Sequence, residues 1–186
     1  MTAEKTLLTA DDLEALSAAT LDGTRYELIK GELRTMPPVN FEHAMITAQI
    51  ALVLGNHVNP HRLGVVLAGD PGFTLERSPD TVRAPDVAFF AAARVPQPRP
   101  TRGFPELVPD LVVEVVSPSQ TAAEIEEKVQ MWLAIGVKLV LTVYPKTRSV
   151  TVRSPNSARV LLEQDDLEGG ELLPGFACRV GDLFPR

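Results

Sequence analysis

The sequence holds a single cysteine, Cys178, so it can close no internal disulfide and offers no cysteine cluster for a metal. Long apolar runs are missing too: no stretch approaches the roughly 20 residues that a membrane-spanning helix needs. The opening segment MTAEKTLLTADDLEAL has neither the basic start nor the apolar run of a secretory signal, and a cytoplasmic location is the expectation that follows. Basic residues are in deficit, 18 Lys and Arg against 24 Asp and Glu, for a formal net charge of −6. Neutralising phosphates supplies most of the non-specific affinity of proteins for DNA, so any nucleic-acid contact here must be local or assembled across an oligomer. The densest basic clusters are Arg94, Arg99 and Arg102 in one loop and Lys146, Arg148 and Arg153 near a later hairpin. Solvated surface charge is the simpler reading of both.

Several catalytic signatures are absent as well. There is no Walker-type loop, no GxGxxG and no HExxH. Ser117-Pro118-Ser119 lacks the nucleophile-elbow pattern and reads as a strand-to-helix turn, with Ser119 or Thr121 as cap. His57 and His61 are separated by the helix-breaking Pro60, so with His43 they make a poor case for a histidine metal site.

What is present reads as one globular domain over residues 1–186, with no internal repeat, no long linker and a hydrophobic content of 45%. Thr9 with Asp12 resembles a capping box and starts a helix over 10–19. Lys30-Gly31 is a tight turn between strands at Tyr26–Ile29 and Glu32–Thr35. Asn40 caps a helix over 41–57, with Ile46, Ile50 and Leu54 on one face. Strands follow at Gly64–Ala68, Gly72–Glu76, Val82–Phe90 and Leu111–Val116, with a proline-studded surface loop from Ala93 to Pro109. A helix over Thr121–Ile135 ends at Gly136, and strands at Leu139–Tyr144 and Val150–Arg153 precede two short terminal segments, Leu172–Phe176 and Val180–Phe184. The class is α/β (α+β) with a mixed sheet.

Two acids sit where a buried strand should hold none. Asp86 leads directly into Val87-Ala88-Phe89-Phe90, and Glu114 is the only polar side chain in Leu111–Val116. A strand apolar on both faces belongs at the centre of its sheet. An isolated carboxylate there costs several kcal/mol unless it is paired, protonated or bound to a cation. An ion pair to an arginine such as Arg83 is the plain alternative for either one. For two acids on neighbouring strands, a shared hard cation, Mg²⁺ or Mn²⁺, is the better reading. Such an ion lowers the pKa of a bound water and shields a phosphate under attack. Lys128, one turn from Ile125 and Trp132 on the following helix, is the candidate for the cationic group that such chemistry also needs. A surface pair with Glu124, four residues earlier, competes with that reading, and position alone does not separate the two. Trp132 is most simply core.

Taken together, Tyr26–Leu33, His43 with Ile46, Ala84–Ala88, Pro109–Ser119, Glu127–Val137 and Leu173–Phe176 resemble the Uma-type family of restriction endonucleases, within the PD-(D/E)XK nuclease superfamily. The resemblance runs from about residue 7 to the C-terminus. It implies a restriction-endonuclease-like mixed β-sheet flanked by helices, and a metal-dependent endonuclease that hydrolyses DNA. It places Asp86 and Glu114 as metal ligands, implies the main-chain carbonyl of Val115 as another, and matches Glu27 to an acidic position that adds a further one. The superfamily's lysine normally sits two residues after the second acid, where this chain has Val116, and Uma-type chains carry it on the next helix, at Lys128. The strand after that helix departs from the relatives, with Leu139–Pro145 in place of a tryptophan and an aspartate-proline. Ala122-Ala123 replaces an arginine or aspartate that they often carry. The rival function is a non-catalytic binding or regulatory module that keeps the nuclease fold. Apolar Phe104 and Leu107 in the proline-studded loop lead us to expect a homodimer.

Overall fold

In the computed structural model, which describes residues 6–185, Thr9 starts helix α1 (Ala10–Ala19). Its hydroxyl accepts from the Asp12 N–H at 3.2 Å while the Asp12 carboxylate accepts from the Thr9 N–H at 2.8 Å, the reciprocal bonds of a capping box. Strands β1 (Arg25–Ile29) and β2 (Glu32–Met36) pair antiparallel about Lys30 and Gly31, both at positive φ. That backbone matches the twist of a two-residue hairpin and is why glycine stands in the turn. Helix α2 (Phe41–Val58) begins at Asn40, whose side chain accepts from the His43 N–H at 2.8 Å.

The chain then alternates between two compact units. The first draws on Met1–Pro38, Gly72–Ala84 and Pro98–Val108. In it β1 and β2 join β4 (Phe73–Glu76) and β5 (Thr81–Arg83) in a sheet of order β2-β1-β5-β4. Ala10, Leu13, Leu28 and Val82 form its core, with Leu8, Tyr26 and Phe104 packed against it. Gly72 lies against the Phe104 ring with no room for a Cβ. Phe104 and Leu107 are therefore half-buried, and the exposed apolar loop we expected as a dimer contact is not there.

The second unit holds Val39–Pro71, Pro85–Gln97 and Pro109–Arg186. Its sheet contains β3 (Gly64–Ala68), β6 (Val87–Ala91), β7 (Leu111–Val115), β8 (Leu139–Tyr144), β9 (Ser149–Ser154) and β10 (Ser157–Leu161), in the order β10-β9-β8-β7-β6-β3. Only β7 and β8 run parallel, joined by helix α3 (Ala122–Ala134) as the crossover that a parallel pair requires. A small ribbon of β11 (Asp166–Glu168) and β12 (Ala177–Arg179) follows. Along β7, Leu111, Val113 and Val115 enter one core with Ile46, Ile50, Leu54 and Val58 of α2. Strand alternation sends Val112 and Glu114 the other way, and Glu114 there meets side chains of α3. The sheet is thus mixed and covered by a helix on each face, in the α+β class.

The single strand expected over Val82–Phe90 is two strands in two different sheets. Pro85 has no N–H for a ladder, so pairing stops at Arg83 and resumes at Val87, and Asp86 falls in the break. Strands β10 to β12 were not visible in the sequence. The side chains of β10 lie mostly exposed without alternation, and β11 and β12 are three residues each.

Asp110, fully buried, ties this sheet together. Its carboxylate accepts from the Ala91 N–H at 2.9 Å and pairs with Arg94 and Lys138 at 2.8 Å each. Its carbonyl accepts from the N–H groups of Lys138 and Leu139. Burial pushes the carboxyl up, but the Lys138, Ala91 and Arg94 hydrogen bonds outweigh it and hold it below the usual carboxylate range. Asp110→Ala leaves the part-buried Ala91 N–H without its partner and takes the buried carboxylate from Arg94 and Lys138, and should cost about 1–3 kcal/mol in urea unfolding at pH 7. A depressed pKa stabilises above the unfolded value and loses its effect as pH falls, so the gap between wild type and variant should narrow in acid.

Candidate active site

Strands β6 and β7 lie side by side with Val87 opposite Val113; Asp86 immediately precedes Val87 and Glu114 immediately follows Val113. Because Pro85 ends the preceding strand, the Asp86 side chain, rather than a ladder carbonyl, receives the N–H of Val115, from which it lies 2.6 Å away. Its other oxygen lies 2.8 Å from Nε2 of His43, a buried residue in the first turn of α2. The His43 Nδ1 atom is 3.5 Å from the Ser117 hydroxyl. One carboxylate is thus fixed by two elements.

Glu114 is held from the opposite direction by α3. Nζ of Lys128 donates to its Oε2 and Nε1 of Trp132 to its Oε1, both at 2.7 Å. The two donors are four residues apart and so lie on one face of the helix. Thr121 starts that helix and Glu124 closes its capping box by accepting from the Thr121 N–H at 2.8 Å. Glu124, the rival partner considered for Lys128, thus spends its carboxylate on the helix start. Burial raises the Glu114 carboxyl; the Lys128 charge opposes this, the Asp86 charge adds to it, and the Lys128 and Trp132 hydrogen bonds lower it, leaving it raised to about 7. The effect of Asp86 on that acid places the two carboxylates within electrostatic reach of one another.

Glu27 belongs to the first unit, on β1. It pairs with Arg83 at 3.0 Å and accepts from the Ala84 N–H at 3.0 Å. Arg83, the arginine considered for Asp86 or Glu114, is therefore engaged by Glu27. The second unit gathers Asp86, Glu114, Val115 and Lys128. It adds two residues that sequence reasoning did not assign to the site, His43 and Trp132. Trp132 is core, but its indole N–H is a site contact; its i,i+4 spacing from Lys128 was the available signal. For His43 the signal was its place three residues after a helix cap, within a segment resembling the Uma-type pattern.

Among the described residues no three His, Cys, Asp or Glu side chains cluster so as to hold a metal ion. Two carboxylates with all-oxygen donor chemistry nevertheless fit Mg²⁺, which keeps several waters and binds through one or two carboxylates plus substrate phosphates. Each carboxylate oxygen that accepts one hydrogen bond retains a second lone pair. A raised Glu114 beside the Asp86 charge is also the electrostatic situation that a dication relieves. No helix is long and apolar enough to cross a membrane among the described residues.

The Uma2 family, described as "Putative restriction endonuclease", matches residues 10–181. No curated protein matches this chain. Among solved structures, a "putative nuclease belonging to DUF820" from Anabaena variabilis ATCC 29413 superposes with a TM-score of 0.77. The two share 21% sequence identity over 95% of this chain and 97% of that one, which establishes a common fold.

A carboxyl raised in the native state keeps its proton to higher pH than in the unfolded chain. Its contribution to stability therefore falls as pH rises from about 4.5 towards about 7. Glu114→Gln should remove that slope, so the difference in unfolding free energy between wild type and variant should change across this window and level off above it. Carboxyl-carbon NMR should place the Glu114 midpoint near 7.

Proposed function

The chain belongs to the Uma2 family, and from that premise we propose that it is a divalent-metal-dependent endonuclease hydrolysing the phosphodiester bonds of DNA. The observation that carries this reading is Glu114, buried beside the charge of Asp86 with Lys128 on one of its oxygens. Asp86, Glu114 and the main-chain carbonyl of Val115, all of the second unit, would hold Mg²⁺ or Mn²⁺. When bound, the ion supplies Lewis acidity at the phosphate and a more acidic water. The protein's own groups do the rest. His43 and the Val115 N–H hold Asp86 in one orientation, as hydrogen-bonded partners do for ligating carboxylates. Trp132 fixes Glu114 and excludes water behind it. Lys128 orients the attacking water or steadies the negative charge that develops on the phosphate. A homodimer in the cytoplasm completes the reading, since a two-fold assembly suits a two-stranded substrate.

A second reading, a binding or regulatory module on the same fold, is favoured by the net charge of −6 and by the lack of a three-ligand cluster among the described residues. Plasmid cleavage with Mn²⁺ separates the two. The wild type should nick or linearise DNA, and Lys128→Ala should lower the rate by about 10²–10³ while retaining metal binding. Glu114→Ala should lose both cleavage and metal binding. A wild type that cleaves nothing with any divalent metal supports the module, and a fully active Lys128→Ala removes the lysine from the chemistry.

A further inference from the structure

Helix α2 is apolar on two opposite faces. At about 100° per residue, Ile46, Ile50, Leu54 and Val58 form the face buried in the core of the second unit. Phe41, Met45, Ala48, Leu52 and Gly55 descend the other side in alternating steps of four and three residues. Phe41 is 81% exposed, Leu52 55% and Met45 37%. Glu42 is the only Asp, Glu, Lys or Arg in the helix. An ordinary surface helix carries its charges on this side. Gly55 adds an independent sign. It has no left-handed φ, and a Cβ there would meet only Asn59, at an ordinary 3.7 Å. Nothing within the fold asks for a glycine at this place, although glycine weakens a helix interior.

We propose that this outer row is the contact between two copies of the chain, packed α2 against α2, antiparallel, about a two-fold axis at Ala48. In that arrangement the Phe41 ring of each copy covers Gly55 of the other, Met45 meets Leu52, and Ala48 meets Ala48. The row is bulky at its start and small at its end, so it complements itself only when reversed; a parallel pairing would set Phe41 on Phe41 and leave a gap at Gly55. Small residues at the axis let two helices approach to the short end of the usual range of about 8–10 Å. Reversal also puts the positive N-terminal end of each helix near the negative C-terminal end of its mate. With so little charge on the row, a partner chosen by its acidic or basic character finds nothing to read. The contact locates the dimer proposed above but does not rest on the chemistry at Glu114, and its test needs no substrate.

A single helix pair is a small interface, so light scattering of the full chain should cover about 1–100 μM. The wild type should reach the mass of two chains within that range. Ala48→Glu and Ala48→Lys each place like charges at the axis and should raise the dissociation constant at least about 100-fold, with helical circular dichroism unchanged. Mixing the two charged variants should restore a dimer, because only a residue that meets itself is rescued in this way. Gly55→Gln should raise the melting temperature of dilute monomer while weakening the dimer, since it strengthens the helix and fills the seat of Phe41. A glycine with only an intrahelical role would change melting alone. A wild type that stays monomeric to the top of the range overturns the proposal, as does a dimer that survives both charged variants or a mixture that is not rescued.

Discussion

The site depends on one costly arrangement: the Glu114 carboxyl buried in a central strand, beside a second acid. Burial and the Asp86 charge both disfavour its ionised form, and Lys128 and Trp132 offset them only in part, so the carboxyl remains raised to about 7. Replacing such a group by a well-packed apolar side chain is often neutral or stabilising. The surrounding structure is organised around keeping it instead. Pro85 interrupts a strand so that Asp86 can turn its carboxylate to the Val115 N–H, and α3 presents two donors from one face.

Asp110 shows the contrast between a structural acid and a site acid. Its side chain is closed off from solvent, yet a main-chain N–H and two cations hold it below the usual range. Its lone pairs are spent on joining β6, β7 and β8. Glu114 has a lysine and an indole but is also subject to the Asp86 charge. Two buried acids on or beside one strand thus have opposite electrostatics: burial raises both, and the partners outweigh it at Asp110 but not at Glu114. A raised carboxyl with a specific charged neighbour is a mark of functional sites more than of structural ion pairs.

Much of this was legible in the chain. Thr9 and Asn40 announce helix starts because capping is local chemistry, and Lys30-Gly31 announces its hairpin for the same reason; of the two caps offered for α3, Ser119 and Thr121, it is Thr121 that serves. Glu114 stood out because a single polar residue among branched apolar ones has few explanations. The split at Pro85 was missed, since an apolar run reads alike whether it stays in one sheet or passes to another. His43 and Trp132 were missed as site residues because their partners lie 43 and 18 residues away, and no local pattern encodes such contacts. Lys128 was undecided on position alone, and the capping of Thr121 by Glu124 shows how a plausible i,i+4 pair can be pre-empted by a stronger local bond.

The central claim is that Asp86 and Glu114 share a cation. The most direct measurement is a crystal structure grown with Mn²⁺, with anomalous differences collected at the manganese edge. The account predicts one strong peak between the two carboxylates, with His43 still bonded to Asp86. An anomalous map with no peak there at saturating Mn²⁺, and with the Lys128 ammonium still seated on Glu114, would contradict it.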